Sequence, residues 1–123
     1  MAMRTAIKET HLKLLPAQMR HLERAVAAVE KLLDPSDTLA AADIEIERTT
    51  RHHRRGKIFR AEINLRASLG SFRAEAHGES VAAAIDGMKD EIVQQLTEKK
   101  DKSRGLMKKG ALKLKQQMRD SMP

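Results

Sequence analysis

The stretch FRAEINLRASLGSFRAEAH, residues 59–77, decides the fold of this 123-residue chain. Apolar and polar residues alternate from Phe59 to Ala67 and again from Phe72 to Ala76. A period of two is typical of half-buried antiparallel strands. The connector, residues 68–71, contains Gly70 and is short enough for a hairpin. The stretch therefore predicts two paired strands that share one apolar face.

A third alternating segment lies upstream, where Ile44 and Ile46 alternate with Asp43, Glu45 and Glu47. It predicts another strand, joined to the first pair by a hairpin loop over residues 51–56. The three acidic residues could form a carboxylate pair for catalysis, but no sign of a pocket accompanies them. Because the neighbouring predicted strand carries arginines, we expect cross-strand ion pairs instead, each contributing about 0.2–1 kcal/mol.

Helical periodicity flanks these strands on both sides. The downstream helix begins after Ser80, which suits an N-cap, and is expected to end near Gly105. The upstream helix begins at Pro16, which suits the first turn of a helix, and the sequence DPSD at residues 34–37 ends it. Each helix has an apolar stripe at spacings of three and four. The stripes consist of Val81, Ile85, Met88, Ile92 and Leu96 downstream, and of Met19, Leu22, Val26, Val29 and Leu33 upstream.

A first strand over residues 3–11, with Thr5, Ile7 and Glu9 on one face, completes the order β-α-β-β-β-α. This order predicts an α+β fold, a two-layer sandwich in which two helices cover one face of a four-stranded sheet. A chain of this length can bury only one modest core, so we expect one domain over residues 1–104. Residues 105–123 are expected to form a basic C-terminal tail that is partly helical or disordered.

The net charge of +7 is concentrated in the last 25 residues, 99–123, which include the end of the predicted domain and the tail. Residues 1–98 contain 15 Lys and Arg against 15 Asp and Glu, whereas residues 99–123 contain nine basic residues against two acidic ones. Inside the balanced part, residues 48–57 contain five basic residues and no acidic one. One-signed clusters indicate a polyanionic partner, nucleic acid before membrane; the alternative is a charged surface that serves only solubility.

Several classes of function lack their sequence signals. The chain has no cysteine for a disulfide or thiolate metal site, and the adjacent His52 and His53 have no further ligand at suitable spacing in their loop. Neither a glycine-rich phosphate loop nor a nucleophile motif is present. No run approaches the ~20 apolar residues of a membrane span, and residues 1–13 lack the apolar run of a signal peptide. We therefore expect a cytoplasmic protein with no enzymatic activity, cofactor, metal or small-molecule substrate.

The tail contains a basic amphipathic pattern. Met107, Ala111, Leu114 and Met118 follow one another at spacings of four, three and four, with lysines around them. Such a helix can dock on RNA, on an anionic membrane or in a protein groove. We expect the tail to be disordered or frayed in the free protein and to become ordered on binding.

Three motifs occur in order in the second half of the chain: FRAEAHGE at residues 72–79, Ala84-Ile85-Asp86, and Gln95-Leu96. With them, residues 3–104 resemble the ribosome hibernation factor family, whose members are also described as ribosome-associated inhibitors or sigma-54 modulation proteins. The short sequence after Gly105 is similar to the short type of this family. The resemblance implies a fold like that of double-stranded RNA-binding domains. It also implies binding to 16S rRNA of the small ribosomal subunit, in the tRNA and mRNA channel, and inhibition of translation in stress or stationary phase.

The chain departs from the family on its second helix. Family members commonly carry Lys or Arg on the exposed face, where this sequence has Glu91, Gln94, Thr97 and Glu98. Ala82 also replaces a common aromatic, and Ser80 the usual Asp cap. The basic residues from Lys99 onward can replace the missing charge. Other structured RNA or DNA, or a protein partner, therefore stay open as alternatives.

We expect the free protein to be a monomer. The candidate RNA-binding residues fall into three groups. The predicted 51–56 loop and the beginning of the basic tail are suggested by charge. The helix positions are suggested by the resemblance, although a solvated helix face explains the two arginines equally well. The candidates are Arg51, Arg54 and Arg55 in the loop, Lys99, Lys100, Lys102 and Arg104 in the basic segment that leads into the tail, and Arg20, Arg24 and Lys89 on the helices.

Overall fold

The computed structural model describes residues 3–49 and 56–120, with side chains described as far as Ser103. It confirms the predicted α+β architecture and the order of its elements. These are β1 (Arg4–Thr10), α1 (Pro16–Glu30), β2 (Ala41–Arg48), β3 (Phe59–Ala67), β4 (Gly70–Gly78) and α2 (Val81–Asp120).

The four strands form one sheet in the order β1-β2-β3-β4. Strand β1 is parallel to β2, and α1 provides the crossover that a parallel pair requires. The other neighbours are antiparallel, and Ile44, Ile63 and Ala74 stand in register across the sheet. Because side chains on aligned strands alternate together, this register places the apolar residues of β2, β3 and β4 on one face.

The core lies between this apolar face and the two helices. Helix α2 contributes its whole predicted stripe, and α1 contributes Leu22, Ala25 and Val29. At 0–2% exposure, Ile44, Ile63, Ile85 and Ile92 are among the most completely buried side chains. Both helices therefore cover the same face of the sheet, as the sequence pattern predicts.

Local signals fix where each helix begins. At the start of α1, Pro16 stands in the first turn, and the Gln18 Oε1 atom accepts a hydrogen bond of 2.8 Å from the Leu15 N–H. At the start of α2, the Ser80 Oγ atom accepts one of 3.1 Å from the Ala83 N–H, which confirms the predicted N-cap. Gly78 permits the close approach of β4 to α2, since a Cβ there would lie 2.6 Å from the Ala84 nitrogen.

The expected end of α2 at Gly105 is wrong. The helix continues to Asp120, over 40 residues, and is therefore about 60 Å long. A glycine costs a helix only about 1 kcal/mol relative to alanine, and the half of α2 that is packed on the sheet supplies the nucleus from which the helix extends. The domain boundary at residue 104 and the ordering of the tail on binding stay predictions.

Candidate nucleic-acid interface

The open face of the sheet, on the side away from the helices, is organised around Arg60. Its guanidinium donates from Nη1 to Glu45 at 3.0 Å and to Glu47 at 3.3 Å, and from Nη2 to Glu62. Its Nε atom lies 3.1 Å from Glu75 Oε1. The Arg60 side chain is only 16% exposed, so four carboxylates from three strands surround one largely buried cation.

Further cations on this face are also paired with carboxylates. Arg73 contacts Glu62 at 2.8 Å and Glu75 at 2.9 Å. Arg66 lies 3.6 Å from Asp43, and Lys8 lies 3.9 Å from Glu45. These contacts confirm the predicted cross-strand ion pairs. They also leave little uncompensated positive charge there to attract a phosphate.

The electrostatics of the network favour its ionised form. The Thr10 hydroxyl, followed by Arg60, lowers the pKa of Glu45. Burial acts to raise the pKa of Glu62, but hydrogen bonds from Asn64 and Arg73 and the nearby positive charges lower it overall. Burial also acts against the charge of Arg60, yet the carboxylates raise its pKa above the usual range. The open face is therefore a network of ion pairs at neutral pH.

The helix face is arranged differently. A cleft of about 190 Å³ lies between α1 and α2, with Arg24 and Lys89 in its lining beside His21 and Asp86. The His21 Nε2 and Asp86 Oδ1 atoms are 2.7 Å apart and tie the two helices together. Arg24 makes no ion pair with any other residue in the described part of the chain, and Arg20, one turn earlier, is likewise exposed and unpaired there. The structure thus brings Arg24 and Lys89 together.

Lys89 is only partly engaged. Its Nζ atom lies 3.1 Å from Asp90 Oδ1, and Asp90 is 72% exposed. An ion pair with so exposed a partner contributes about 0–1 kcal/mol, so it is easily exchanged for a phosphate. The cleft therefore offers two cations on neighbouring helices to an anionic ligand.

The lysines at positions 99, 100 and 102 of α2 separate into two kinds. Lys99 and Lys102 are exposed and line a cleft with Phe72 and Gln95 at the edge of β4. Lys100 points elsewhere: its Nζ atom donates a hydrogen bond of 3.0 Å to the Leu32 carbonyl, just beyond α1. A cation there complements the free carbonyls at the end of a helix. Lys100 therefore has a structural contact that the sequence pattern did not indicate.

Four of the candidate residues cannot be placed in this geometry. Arg51, Arg54 and Arg55 lie outside the described residues, as do His52 and His53, and the side chain of Arg104 is outside them too. Their roles stay predictions. Among the residues that are described, no three His, Asp or Glu side chains group as a metal site would require. Over the same residues, neither helix has a stretch long and apolar enough to cross a bilayer.

Between Lys89 and Lys99, the exposed face of α2 carries only acidic and neutral residues. Asp90, Glu91, Gln94 and Glu98 are all exposed, and the Gln94 amide donates to Glu98 at 3.2 Å. Residues 81–98 of α2 contain one cation against four acids, and residues 99–120 contain nine cations against two acids. The charge of this single helix is therefore divided sharply between its two halves.

Asp37 is a further residue that the sequence pattern did not single out. Its carboxylate accepts bonds of 2.8 Å from both the backbone N–H and the hydroxyl of Ser68, and one of 3.0 Å from the Leu39 N–H. The bonds from Ser68 hold the pKa of Asp37 below its usual range. Asp37 thus attaches the segment before β2 to the β3–β4 turn. No local signal could have found it, because its partner lies 31 residues away.

The sheet, the two covering helices and the cleft between them define a small α+β domain with two neighbouring cations, Arg24 and Lys89, on its helix face. The family described as "Sigma 54 modulation protein / S30EA ribosomal protein" matches residues 5–104. The chain belongs to this family, which confirms the resemblance seen in its motifs.

Individual relatives agree with this assignment. A ribosome hibernation promoting factor from Klebsiella oxytoca is 45% identical over 42 residues, which are 34% of this chain and 44% of that protein. The N-terminal domain of Thermus thermophilus Protein Y has a TM-score of 0.61 at 23% identity, with 78% of this chain and 96% of that chain covered. A ribosomal subunit interface protein from Coxiella burnetii has a TM-score of 0.58 at 13% identity, with 82% and 99% covered.

These matches differ in what they establish. The two solved structures are less than 25% identical to the chain and show the shared fold. The curated relative is matched over less than half of its own length. The family and the relatives together indicate a ribosome-associated hibernation or modulation factor.

Proposed function

We propose that this protein binds the small ribosomal subunit through the helix face of its domain and inhibits translation in stress or stationary phase. The bound protein would contact 16S rRNA in the channel that tRNA and mRNA use. The observation that carries the proposal is the contrast between the two faces of the domain. The arginines on the open sheet face are held by carboxylates, whereas Arg20 and Arg24 on the helix face have no such partner among the described residues.

The names of the relatives support the ribosome as the partner. The Klebsiella oxytoca relative is named a ribosome hibernation promoting factor, and the Coxiella burnetii protein is described as a ribosomal subunit interface protein. The match of the family over residues 5–104 covers the whole cleft between α1 and α2. A protein with this role would work in the cytoplasm, as a monomer when free, without a cofactor and without catalysis.

The physical basis of binding is contact between cations and phosphates. A-form RNA is recognised largely by its shape, its 2′-hydroxyls and its phosphates. This mode does not need aromatic stacking platforms, and the chain has only two aromatic residues. Each phosphate contact adds about 0.9 to the slope of log affinity against log salt concentration, so that six contacts give a slope of roughly −5.

Co-sedimentation with purified 30S and 50S subunits over a series of KCl concentrations tests the proposal. The wild-type protein should pellet with 30S particles at low salt and dissociate steeply as salt rises. The Arg24→Ala/Lys89→Ala variant should bind at least tenfold more weakly, and its salt slope should be shallower by about 2.

A matched control is available on the opposite face. The Lys8→Ala/Arg66→Ala variant removes the same two charges from exposed positions of the open sheet face, and it should bind 30S particles like the wild type. A wild-type protein that stays off 30S particles at low salt would refute the proposal. Equal losses in the two variants would refute the assignment to the helix face.

A second candidate is a binder of other structured RNA. The exposed Glu91, Gln94 and Glu98 on α2 favour it, because they place negative and neutral groups where relatives commonly carry cations. Competition between 30S particles and a free RNA duplex distinguishes the two candidates. Under the ribosomal proposal, a large excess of duplex fails to displace the protein from 30S particles.

A further inference from the structure

Helix α2 does not end with the domain. Among the residues of α2 whose side chains are described, Leu96 is the last one in the buried core. The helix continues for 24 residues beyond it, to Asp120. At 1.5 Å per residue this extension is about 36 Å long. Residues 104–120 are called the arm below.

The arm carries most of the net charge of the protein. It contains six cations and one acid, Asp120. Its cations are Arg104, Lys108, Lys109, Lys113, Lys115 and Arg119. The domain side of α2 is acidic over residues 90–98, so a cation-free stretch of the helix separates Lys89 from the basic half.

Helical spacing groups the cationic positions. With 3.6 residues per turn, positions 104, 108, 115 and 119 fall within about 60° of the helix circumference, and positions 102, 109 and 113 fall within about 40° on another side. Positions 107, 111, 114 and 118, the apolar ones, occupy a sector of only about 60°. Positions 106 and 112, both leucines, fall outside that sector, so the cationic positions cover more of the helix circumference than the apolar sector does.

This distribution favours RNA over a membrane or an apolar groove. A membrane-surface helix requires a wide apolar face, which the arm lacks. Cations on two sides of a rod suit a phosphate-lined groove, in which the backbone approaches the helix from both sides.

We propose that the arm binds a second RNA segment, separate from the one that contacts the cleft between α1 and α2. If the RNA segment is ribosomal, this inference rests on the proposed function and adds a second contact with rRNA to it. Along α2, position 104 is about 22 Å and position 119 about 45 Å from Lys89. Because one helix carries both contacts, binding at the cleft brings the arm to its RNA at a high effective concentration.

Two full-length variants with equal net charge test the arm. The arm variant replaces Lys108, Lys109, Lys113 and Lys115 with Gln. The control variant replaces Lys8, Lys13, Lys31 and Arg66 with Gln, all of which are exposed in the domain. Binding is measured by pelleting with 30S particles, and by fluorescence anisotropy with a labelled 20-base-pair RNA duplex, over a series of KCl concentrations.

The arm variant should lose at least tenfold in affinity for both targets near 100 mM KCl, with a salt slope shallower by about 3–4. The control variant should keep the wild-type slope within about 1. Equal slopes for the two variants would overturn the proposal. So would an arm variant that loses binding to vesicles of phosphatidylglycerol and phosphatidylcholine while keeping the wild-type affinity for RNA.

A third variant tests whether the arm must be a continuous helix. Gly110→Pro keeps every charge but breaks the helix, so it should weaken pelleting with 30S particles severalfold. An unchanged affinity would show that a flexible basic tail suffices. It would overturn the inference that one continuous helix must carry both contacts. If the wild type binds the duplex through its arm but never pellets with 30S particles, the proposed function fails and the RNA-binding arm stands. If the wild type pellets with 30S particles and the arm variant binds like the control variant, the proposed function stands and the RNA-binding arm fails.

Discussion

Arg60 neutralises most of the acidic residues on the open sheet face. Five acidic residues point outward from β2, β3 and β4, and four of them contact this one guanidinium. Without it, Glu45 and Glu62 would stand directly opposite each other on paired strands, where like charges are destabilising. A single residue thus makes an acid-rich face compatible with folding.

Replacement of Arg60 by Met should lower the free energy of unfolding at pH 7 by roughly 2–3 kcal/mol, because the aliphatic volume stays while partly buried carboxylates lose their partner. Urea denaturation measures this effect. The control is Arg66→Met, an exposed cation on the same strand with one long contact to Asp43. It should change stability by less than about 0.5 kcal/mol. A similar loss in both variants would contradict the central role of Arg60.

The same network predicts how stability depends on pH. The pKa values of Glu45 and Glu62 are lowered from 4.5 in the folded protein, so the folded state binds fewer protons than the unfolded one near these values. Their contribution is complete above about pH 4.5 and is lost as pH falls through the folded-state pKa values. In Arg60→Met the decline between pH 5 and 3 should be shallower, since protonation relieves the repulsion between carboxylates. A pH profile parallel to that of the wild type would contradict this mechanism.

Helix α2 combines packing residues in its first half with a concentration of cations in its second half. Its first half supplies the buried stripe from Val81 to Leu96, and its second half supplies most of the cations. Lys100 lies at the transition, where its ammonium group binds the carbonyl of Leu32 beyond α1. We therefore expect neighbouring lysines of α2 to have different roles, although the sequence presents them as one cluster.

Lys100→Met should lower the free energy of unfolding by about 1 kcal/mol, because it removes a charged donor from a helix end. Its effect on the salt slope of 30S binding should be small. Lys99→Met should leave stability unchanged within about 0.5 kcal/mol and make the salt slope shallower by about 1. Urea denaturation and pelleting on the same two proteins measure both quantities. If instead Lys100→Met made the salt slope shallower and Lys99→Met lowered stability, Lys100 and not Lys99 would be the residue that contacts phosphate.

The sequence predicts those elements whose signals are local. Alternation from Phe59 to Ala76 identified the hairpin, and the stripes at spacings of three and four identified both helices. The continuation of α2 past Gly105 was missed because a glycine only weakens a helix, and the anchoring that compensates for it comes from tertiary packing. The pattern likewise could not show that β1 pairs in parallel with β2, since pairing direction depends on the path of the connecting helix.

The candidate site is less accessible to sequence analysis than the fold. Charge counting identified the basic clusters, but it could not distinguish Arg60 and Arg73, which carboxylates neutralise, from Arg24, which lines a cleft with Lys89. That distinction depends on cross-strand register and on how two helices pack. Residues 24 and 89 are 65 positions apart, and only the fold brings them to one cleft.

At the scale of the whole molecule, the described part of the chain has one sheet face whose cations are paired with carboxylates and a helix face where Arg20 and Arg24 have no such partner. The helical backbone of α2 continues to Asp120 and carries further cations in its sequence. Under the proposed function, this division predicts an orientation on the ribosome, with the helix face against 16S rRNA and the open sheet face pointing away from it. The chain has no cysteine, so a single introduced cysteine can carry a probe at one defined position.

The most direct measurement of this orientation uses two such probes. Ala27→Cys places an iron–EDTA group on the exposed surface of α1 near Arg24, and Ala6→Cys places the same group on the exposed open face of β1, at the sheet edge opposite β4. Bound to 30S particles, the probe at residue 27 should cleave 16S rRNA at a compact set of sites. The probe at residue 6 should give little or no cleavage of 16S rRNA. Strong cleavage from residue 6 with none from residue 27, from a protein that pellets with 30S particles, would contradict the assignment of the helix face as the RNA-binding surface.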